Sequence, residues 1–293
     1  LMAILAMEKA KDHLRSLDGL GLLCCIMPEL GYTKGVDQPI EHYWDVFNHS
    51  IEAVGAVERV VPPSKEDPVV ADVPWNEDIT KHFAEEVSDG QNRTTILKLA
   101  ALLHDIAKPQ TKKVQEDGRT RFFGHHTEGA SMVDEILQRL RVSRRGIDMV
   151  ATMVEYHLRP KQMSQGDELP SNRAIYRYFR DLGDVAIDTI YLNLCDILAA
   201  RGPTLDLRDW TNHVNIERYV LTVGLEKQTP QLLPKLVTGH HLMEELGLHP
   251  GPQIGDLLEA ITEAQVTGLA RNREDALALA RKILKTGSKF TLA

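Results

Sequence analysis

His104 and Asp105 follow an unbroken aliphatic run, Leu99-Ala100-Ala101-Leu102-Leu103. Adjacent helix positions are rotated by about 100°, so the two side chains can reach one ion lying along the helix edge. Taking an ionised aspartate into such surroundings costs several kcal/mol unless it is paired or binds a cation. The alternative is an exposed His-Asp at a helix end, released by the Lys108-Pro109 break, and the dipeptide alone does not separate the two. Asp196 lies in Ile190-Tyr191-Leu192-Asn193-Leu194-Cys195-Asp196-Ile197-Leu198-Ala199-Ala200, where Asn193 and Asp196 are the strongly polar side chains and share one face at i, i+3. A helix apolar nearly all round is buried, and its carboxylate then needs a metal or an arginine. His49, among Trp44, Val46, Phe47, Ile51 and Ala53, reads by itself as a core histidine. His125-His126 opens one helix and His157 ends another, at termini where ligands converge or where a histidine simply caps.

The elements that must position these residues are helical. Tyr43 to Val60 repeats apolar residues at i, i+3, i+4, i+7, and Pro62-Pro63 ends it. Ser64 to Asn92 carries eight carboxylates against two lysines, with Pro68 and Pro74, which predicts a solvated insertion with one short helix, Glu77 to Val87. Thr94 or Thr95 is expected to cap a helix from Ile96 to Lys108, stopped by Pro109. Asp117-Gly118, between Lys112-Lys113-Val114 and Arg119 to Phe123, signals a small β-hairpin. Helices then follow at His125 to Leu140, Ser143 to His157, Ser171 to Leu182, Asp184 to Ala200 with aspartate as cap, Asp209 to Val223, Thr238 to Leu246, Gln253 to Val266 and Asn272 to Leu284. The fold class is all-α.

Composition bounds the rest. The chain has 293 residues, 43% hydrophobic and 26% charged, long enough for one large or two modest domains. Apolar runs fall far short of the roughly 18 residues of a membrane span, and no basic leader marks a signal peptide. Cys24, Cys25 and Cys195 outline no disulfide framework, so a reducing cytoplasm fits. A net charge of -8, from 34 basic and 42 acidic residues, argues against wholesale electrostatic binding of nucleic acid. Local patches remain. Arg139, Arg141, Arg144 and Arg145 cluster, and Arg173, Tyr176, Arg177, Tyr178 and Arg180 interleave basic and aromatic groups as RNA stacking would require, although a solvated helical face more often explains arginine clusters. No P-loop, HExxH, GxSxG or DNA-specific signal occurs, and nothing fixes an oligomeric state.

The series His49, His104-Asp105 and Asp196, with His125 and His157 between, resembles the HD superfamily of metal-dependent phosphohydrolases, in its HDIG-type two-metal form. Ala107 stands where the fuller signature has glycine. Gly21-Leu22-Leu23 with Pro28-Glu29-Leu30, Asp45-Val46-Phe47-Asn48-His49, Phe123-Gly124-His125 and Gly251-Pro252-Gln253-Ile254-Gly255 resemble the body of bacterial CCA-adding enzymes and poly(A) polymerases, over about residues 17 to 287. The resemblance implies a helical neck (1–36), an HD domain (37–200, with the insertion at 63–93) and a C-terminal helical region (201–293). It implies His49, His104, Asp105 and Asp196 on one divalent ion, with Asp105 bridging to a second ion held by His125 and His157, and His126 as a further candidate. Imidazoles and carboxylates without thiolates suit Mn, Fe, Co, Ni or Zn, with Mg also open. Asp105 and Lys108 are the expected catalytic pair, and Lys108 and Arg159 the expected phosphate contacts. The expected partner is a phosphorylated nucleotide or RNA end. The competing expectation is a tRNA-like RNA held by a body whose HD site is not catalytic, with Arg144, Arg145, Arg173, Tyr176 and Arg177 as contacts. No nucleotide-transferring head is legible, so this chain alone is not expected to polymerise nucleotides. His240-His241 departs from the family, which usually shows an aspartate before Leu242.

Overall fold

Asp45 fixes where the helix that carries His49 begins. Its Oδ1 accepts the Asn48 backbone N–H at 2.8 Å and its Oδ2 accepts that of Gly35 at 2.7 Å, a cap worth about 1 kcal/mol. The helix therefore runs Val46–Val60 rather than from Tyr43. The next long helix, Arg93–Leu103, is capped by Asn92, whose Oδ1 accepts both the Thr95 backbone N–H (3.0 Å) and the Thr95 hydroxyl (2.9 Å). The threonine expected to cap is thus the residue being capped. Ser143 caps Arg144–Tyr156 as anticipated. Asp184 does not cap the helix Ala186–Arg201, which starts at Val185 without a side-chain bond. Its carboxylate is drawn instead to Arg93.

The computed structural model describes residues 1–164, 168–228 and 235–286. The chain falls into two units, one of Leu1–Leu169 with Leu182–Tyr219 and one of Pro170–Asp181 with Val220–Ala293. In the first, Val46–Val60 packs on Ala186–Arg201 and on Arg93–Leu103, and Arg144–Tyr156 packs on His125–Arg139 and Arg93–Leu103. Arg93–Leu103 is thus central, and all its side chains but Thr94 are buried. Ile51, Val54, Leu99, Leu102, Val150, Ile190 and Leu194 are fully buried between these helices, each worth roughly 1.5–3 kcal/mol.

The acidic segment is not a solvated excursion. Val70, Val73, Ile79, Phe83 and Val87 are buried, Trp75 stacks on Phe83 at 5.8 Å, and the Tyr191 hydroxyl donates to Pro74 O. Its charges face outward while its sparse apolar residues anchor it. After the helix Glu77–Ala84 it forms a second small ribbon, Glu86–Ser88 with Gln91–Asn92, turned by Asp89 and Gly90 at φ 53° and 74°. The expected ribbon, Lys112–Val114 with Thr120–Phe122, is present, with Gly118 at φ 77°. Beneath the insertion, Arg93 is 1% exposed and pairs with Glu85, Asp184 and Asp188, and His82 Nε2 stands 2.8 Å from the fully buried Asp188. This network ties the starts of the Arg93–Leu103 and Ala186–Arg201 helices together.

In the second unit, Gly239–Leu246, Pro252–Val266 and Arg273–Thr286 close on Leu242, Ile254, Leu257, Ile261, Ala276 and Ala280. Thr238 caps the first of these, and His241, the departure noted above, completes a capping box with it. Asn272 caps the last through the Asp275 N–H. No described helix is long and apolar enough to cross a membrane.

Two expected outcomes follow. A Cβ at Gly224 would sit 1.9 Å from the Phe179 ring, so Gly224→Ala should destabilise by about 1–3 kcal/mol in urea unfolding. On the helix Leu207–Gln228, Glu217 is fully buried, neither carboxylate oxygen has a hydrogen-bond partner, and burial pushes its pKa up to about 8. A folded-state pKa raised above the unfolded value gives stability that is complete below about 4.5 and lost as pH rises through about 8. Burial, and secondarily the Lys161 charge, lowers the adjacent His213 to about 4, so within this pair Glu217 acts alone above about pH 6.5. Glu217→Gln should remove a fall of about 2 kcal/mol in unfolding free energy between pH 6.5 and 8.

Candidate metal centre

The Arg93–Leu103 helix ends one residue before His104, not at Lys108. A proline inside it would strike the carbonyl four residues back, that of Asp105. The chain instead tightens, with Ile106 N–H on Leu103 O and Lys108 N–H on Asp105 O, both 3.0 Å, and Pro109 enters the first turn of a short helix, Lys108–Thr111. His104 and Asp105 therefore leave the helix end as it unwinds, deep in the unit, at 0% and 1% exposure.

Four histidines and two aspartates converge there. His49 Nε2 lies 3.1 Å from His104 Nε2, 3.4 Å from Asp105 Oδ2 and 3.0 Å from Asp196 Oδ1. His104 Nε2 is 3.3 Å from Asp105 Oδ2 and 3.5 Å from Asp196 Oδ1. On the other side of the carboxylate, Asp105 Oδ1 is 3.5 Å from His125 Nε2 and 4.0 Å from His157 Nε2, and those two nitrogens are 3.4 Å apart. Asp105 thus belongs to two ligand groups, one with His49 and His104 and one with His125 and His157.

The donor set fits a divalent ion. The Nδ1–H groups of His104, His125 and His157 donate to the carbonyls of Ala101 (2.9 Å), Phe122 (2.7 Å) and Val154 (2.7 Å). A carbonyl only accepts, so each Nδ1 carries the proton and each Nε2 is left to bind a cation, the outer-shell arrangement of metal-ligating histidines. Neither oxygen of the buried Asp105 receives a directed hydrogen bond, although Lys108 Nζ stands 2.7 Å from Oδ2. Asn193 Nδ2 donates to His157 O at 3.0 Å and holds that turn in place.

Electrostatics match the geometry. Burial opposes charge on His104, but the Asp105 and Asp196 carboxylates, 3.3 and 3.5 Å from its Nε2, raise it to about 10. Burial likewise works against the Asp105 charge, yet His104 and Lys108 hold it well below the usual carboxylate range. Asp196 is held down against burial by the hydrogen bonds of His104 and His49. Burial and then the His104 charge press His157 down to about 3, and burial lowers His125.

Of the remaining candidates, Lys108 is buried and bonded to Asp105 and to Gln38 Oε1 (2.6 Å). Arg159 lies over the Tyr156 ring at 5.6 Å and is not part of the cavity wall. His126 is half-buried against the His125 ring, outside the grouped ligand atoms. Arg144 is paired with Asp134 and Asp148, and Arg145 with Glu85. In the second unit, Arg173 and Arg177 both pair with Glu263, and Tyr176 lines an apolar cavity. The charges of these four arginines are therefore engaged. Sequence reasoning missed His42, which lies with His49 and Asp196, because its segment has no periodicity to assign a face. It also missed Arg121, Lys161 and Arg201, which line the cavity over Asp105.

Residues 77–201, which carry His104, Asp105, His125, His157 and Asp196, match the HD domain family, and residues 230–280 match tRNA nucleotidyltransferase domain 2. The chain is 30% identical, over 96% of its length, to the A-adding tRNA nucleotidyltransferase of Deinococcus radiodurans. It is also 30% identical, over 95% of its length, to the CC-adding tRNA nucleotidyltransferase of Thermus thermophilus. It spans about half the length of these relatives, 56% and 54%. The HD match begins after His49, which the fold nevertheless brings to the same centre.

With its pKa raised to about 10, His104 is expected to carry a second proton on Nε2 at neutral pH, which an incoming ion has to displace. Calorimetric titration with Mn²⁺ at pH 7, in buffers of different ionisation enthalpy, should report release of about one proton, with affinity falling as pH drops.

Proposed function

We propose that this chain is a metal-dependent phosphohydrolase, a phosphodiesterase or phosphatase acting on a phosphorylated nucleotide or RNA end. The observation that carries this reading is Asp105, shared between two histidine groups on the floor of an open cavity of about 250 Å³. His49, His104, Asp105 and Asp196 would hold one ion, with Asp105 reaching a second held by His125 and His157; Mn, Fe, Co, Ni, Zn and Mg remain the candidates. Bound ions would supply Lewis acidity at a phosphoryl oxygen and lower the pKa of a water from 15.7 toward about 7. Lys108, fixed by Asp105 and Gln38, presents its charge to the same cavity and would meet a phosphate oxygen there. The cysteines are free thiols, in keeping with a reducing, cytoplasmic setting.

A second reading is favoured by the match at residues 230–280 and by the two tRNA nucleotidyltransferases: the chain would hold tRNA-like RNA, with its HD site not catalytic.

Hydrolysis of bis-p-nitrophenyl phosphate with Mn²⁺, Ni²⁺ or Co²⁺ separates the two. The hydrolase reading expects a metal-dependent rate that falls more than about 100-fold in a folded Asp105→Ala variant, since even outer-shell partners of a metal are worth roughly 10–100-fold. Metal binding without turnover in the wild type would favour the RNA-holding reading.

A further inference from the structure

We propose that Arg121, Lys161 and Arg201 form a rim that binds a second phosphate of the substrate, so that the cavity selects ligands carrying at least two phosphates over monophosphates. The assignment rests on the hydrolase reading of the same site.

Each of these cations is carried on a segment that also carries a site residue. Arg121 lies in the strand Thr120–Phe122, four residues before His125; Lys161 lies in the short helix Arg159–Gln162, four after His157; Arg201 ends the helix that bears Asp196, five residues on. All three line the cavity together with Asp105, His125, His157 and Asp196. Whatever fixes the ligands therefore also fixes the rim.

Their charges are free. Arg93, Arg144 and Arg145 in the same unit are each paired with carboxylates. No ion pair forms at Arg121, Lys161 or Arg201 among the described residues, although Glu41 contributes one carboxylate to the same wall. Four cations, Lys108, Arg121, Lys161 and Arg201, thus line the cavity against three carboxylates, Glu41, Asp105 and Asp196, and Lys108 is the one that is ion-paired, with Asp105, which leaves three cationic side chains on the wall for a bound anion. Guanidinium groups on such a wall match phosphate oxygens two at a time.

A cavity of about 250 Å³ lies below the roughly 300–1,000 Å³ that encloses a whole small-molecule ligand. One phosphate can reach the floor while the rest of the ligand crosses the rim. A second phosphate, whether the next one of a nucleoside diphosphate or the next one along an oligonucleotide backbone, then falls among these cations.

The test is calorimetric titration of the Mn²⁺-loaded full chain with AMP, ADP and the dinucleotide pApA, with chromatography of the recovered ligand. Affinity is read as Kd where the ligand survives and as KM where it is cleaved. The wild type should bind ADP or pApA about 10-fold or more tightly than AMP, as one additional charge-assisted contact supplies; which of the two is preferred identifies the source of the second phosphate. In Arg121→Ala/Arg201→Ala, with a melting temperature close to wild type, that preference should shrink to within about 2-fold, and the salt dependence of pApA binding should weaken. Arg121→Lys/Arg201→Lys should keep part of the preference. No preference in the wild type, or an undiminished one in the alanine variant, would overturn the proposal. Intact ligands and uncleaved bis-p-nitrophenyl phosphate, with the rim preference still present, would fail the hydrolase reading alone.

Discussion

A negative charge at the centre of a helical unit is the constraint around which the first unit is arranged. Asp105 is 1% exposed and ionised, and its carboxylate has no directed hydrogen bond to compensate for the water it has left. An uncompensated buried carboxylate would cost several kcal/mol. His104, Lys108, His49, His125 and His157 all stand around it, and they come from four separate stretches of chain. The helices that deliver them must end or turn within a few ångströms of one point, and that demand selects the packing of the five main helices.

The break at Pro109 follows from the same demand. A helix continued through His104 would place successive side chains around its circumference. The unwound turn sends His104 toward His49 and leaves Asp105 reachable from both sides. At the opposite ends, Arg93 and Asp188 lock the two helices, one finishing at Leu103 just before His104-Asp105 and the other passing through Asp196. Each helix is thus held at its start by a buried ion pair and carries, toward its other end, charged groups that converge on one point. The core between these ends is aliphatic, so the polar groups set register while the apolar ones set affinity of helix for helix.

Most of this was legible where periodicity or a carboxylate in an apolar run gave it away. His104-Asp105 and Asp196 stand out because an ionisable group among aliphatic residues demands an explanation, and the caps Ser143 and Asn272 follow from residue type. Thr94 or Thr95 was expected to cap, but Asn92, just upstream beyond Arg93, is an equally good capping type, and only the backbone direction at Asn92 decides among the three. Asp184 was misassigned because a tertiary partner, Arg93, outbid a local role for its carboxylate. The Ser64 to Asn92 segment read as solvated because its charges outnumber its apolar residues, yet Val70, Val73, Ile79 and Phe83 suffice to anchor it. Asp89-Gly90 carried the same turn signal as Asp117-Gly118. His42, Arg121 and Lys161 lie in segments whose spacing says nothing of direction, Arg201 lies one residue past the expected end of its helix, and only the three-dimensional arrangement brings them to one cavity.

Asn193 has a consequence of a different kind. It shares a helix face with Asp196, and its amide grips the carbonyl of His157. Asp196 faces His49 and His104, whereas His157 faces His125 and the far oxygen of Asp105. Any rotation of the Ala186–Arg201 helix about its axis would therefore shift one ligand of each group at the same time. The two halves of the centre share a single mechanical degree of freedom, so neither can be widened or tightened while the other stays as it is.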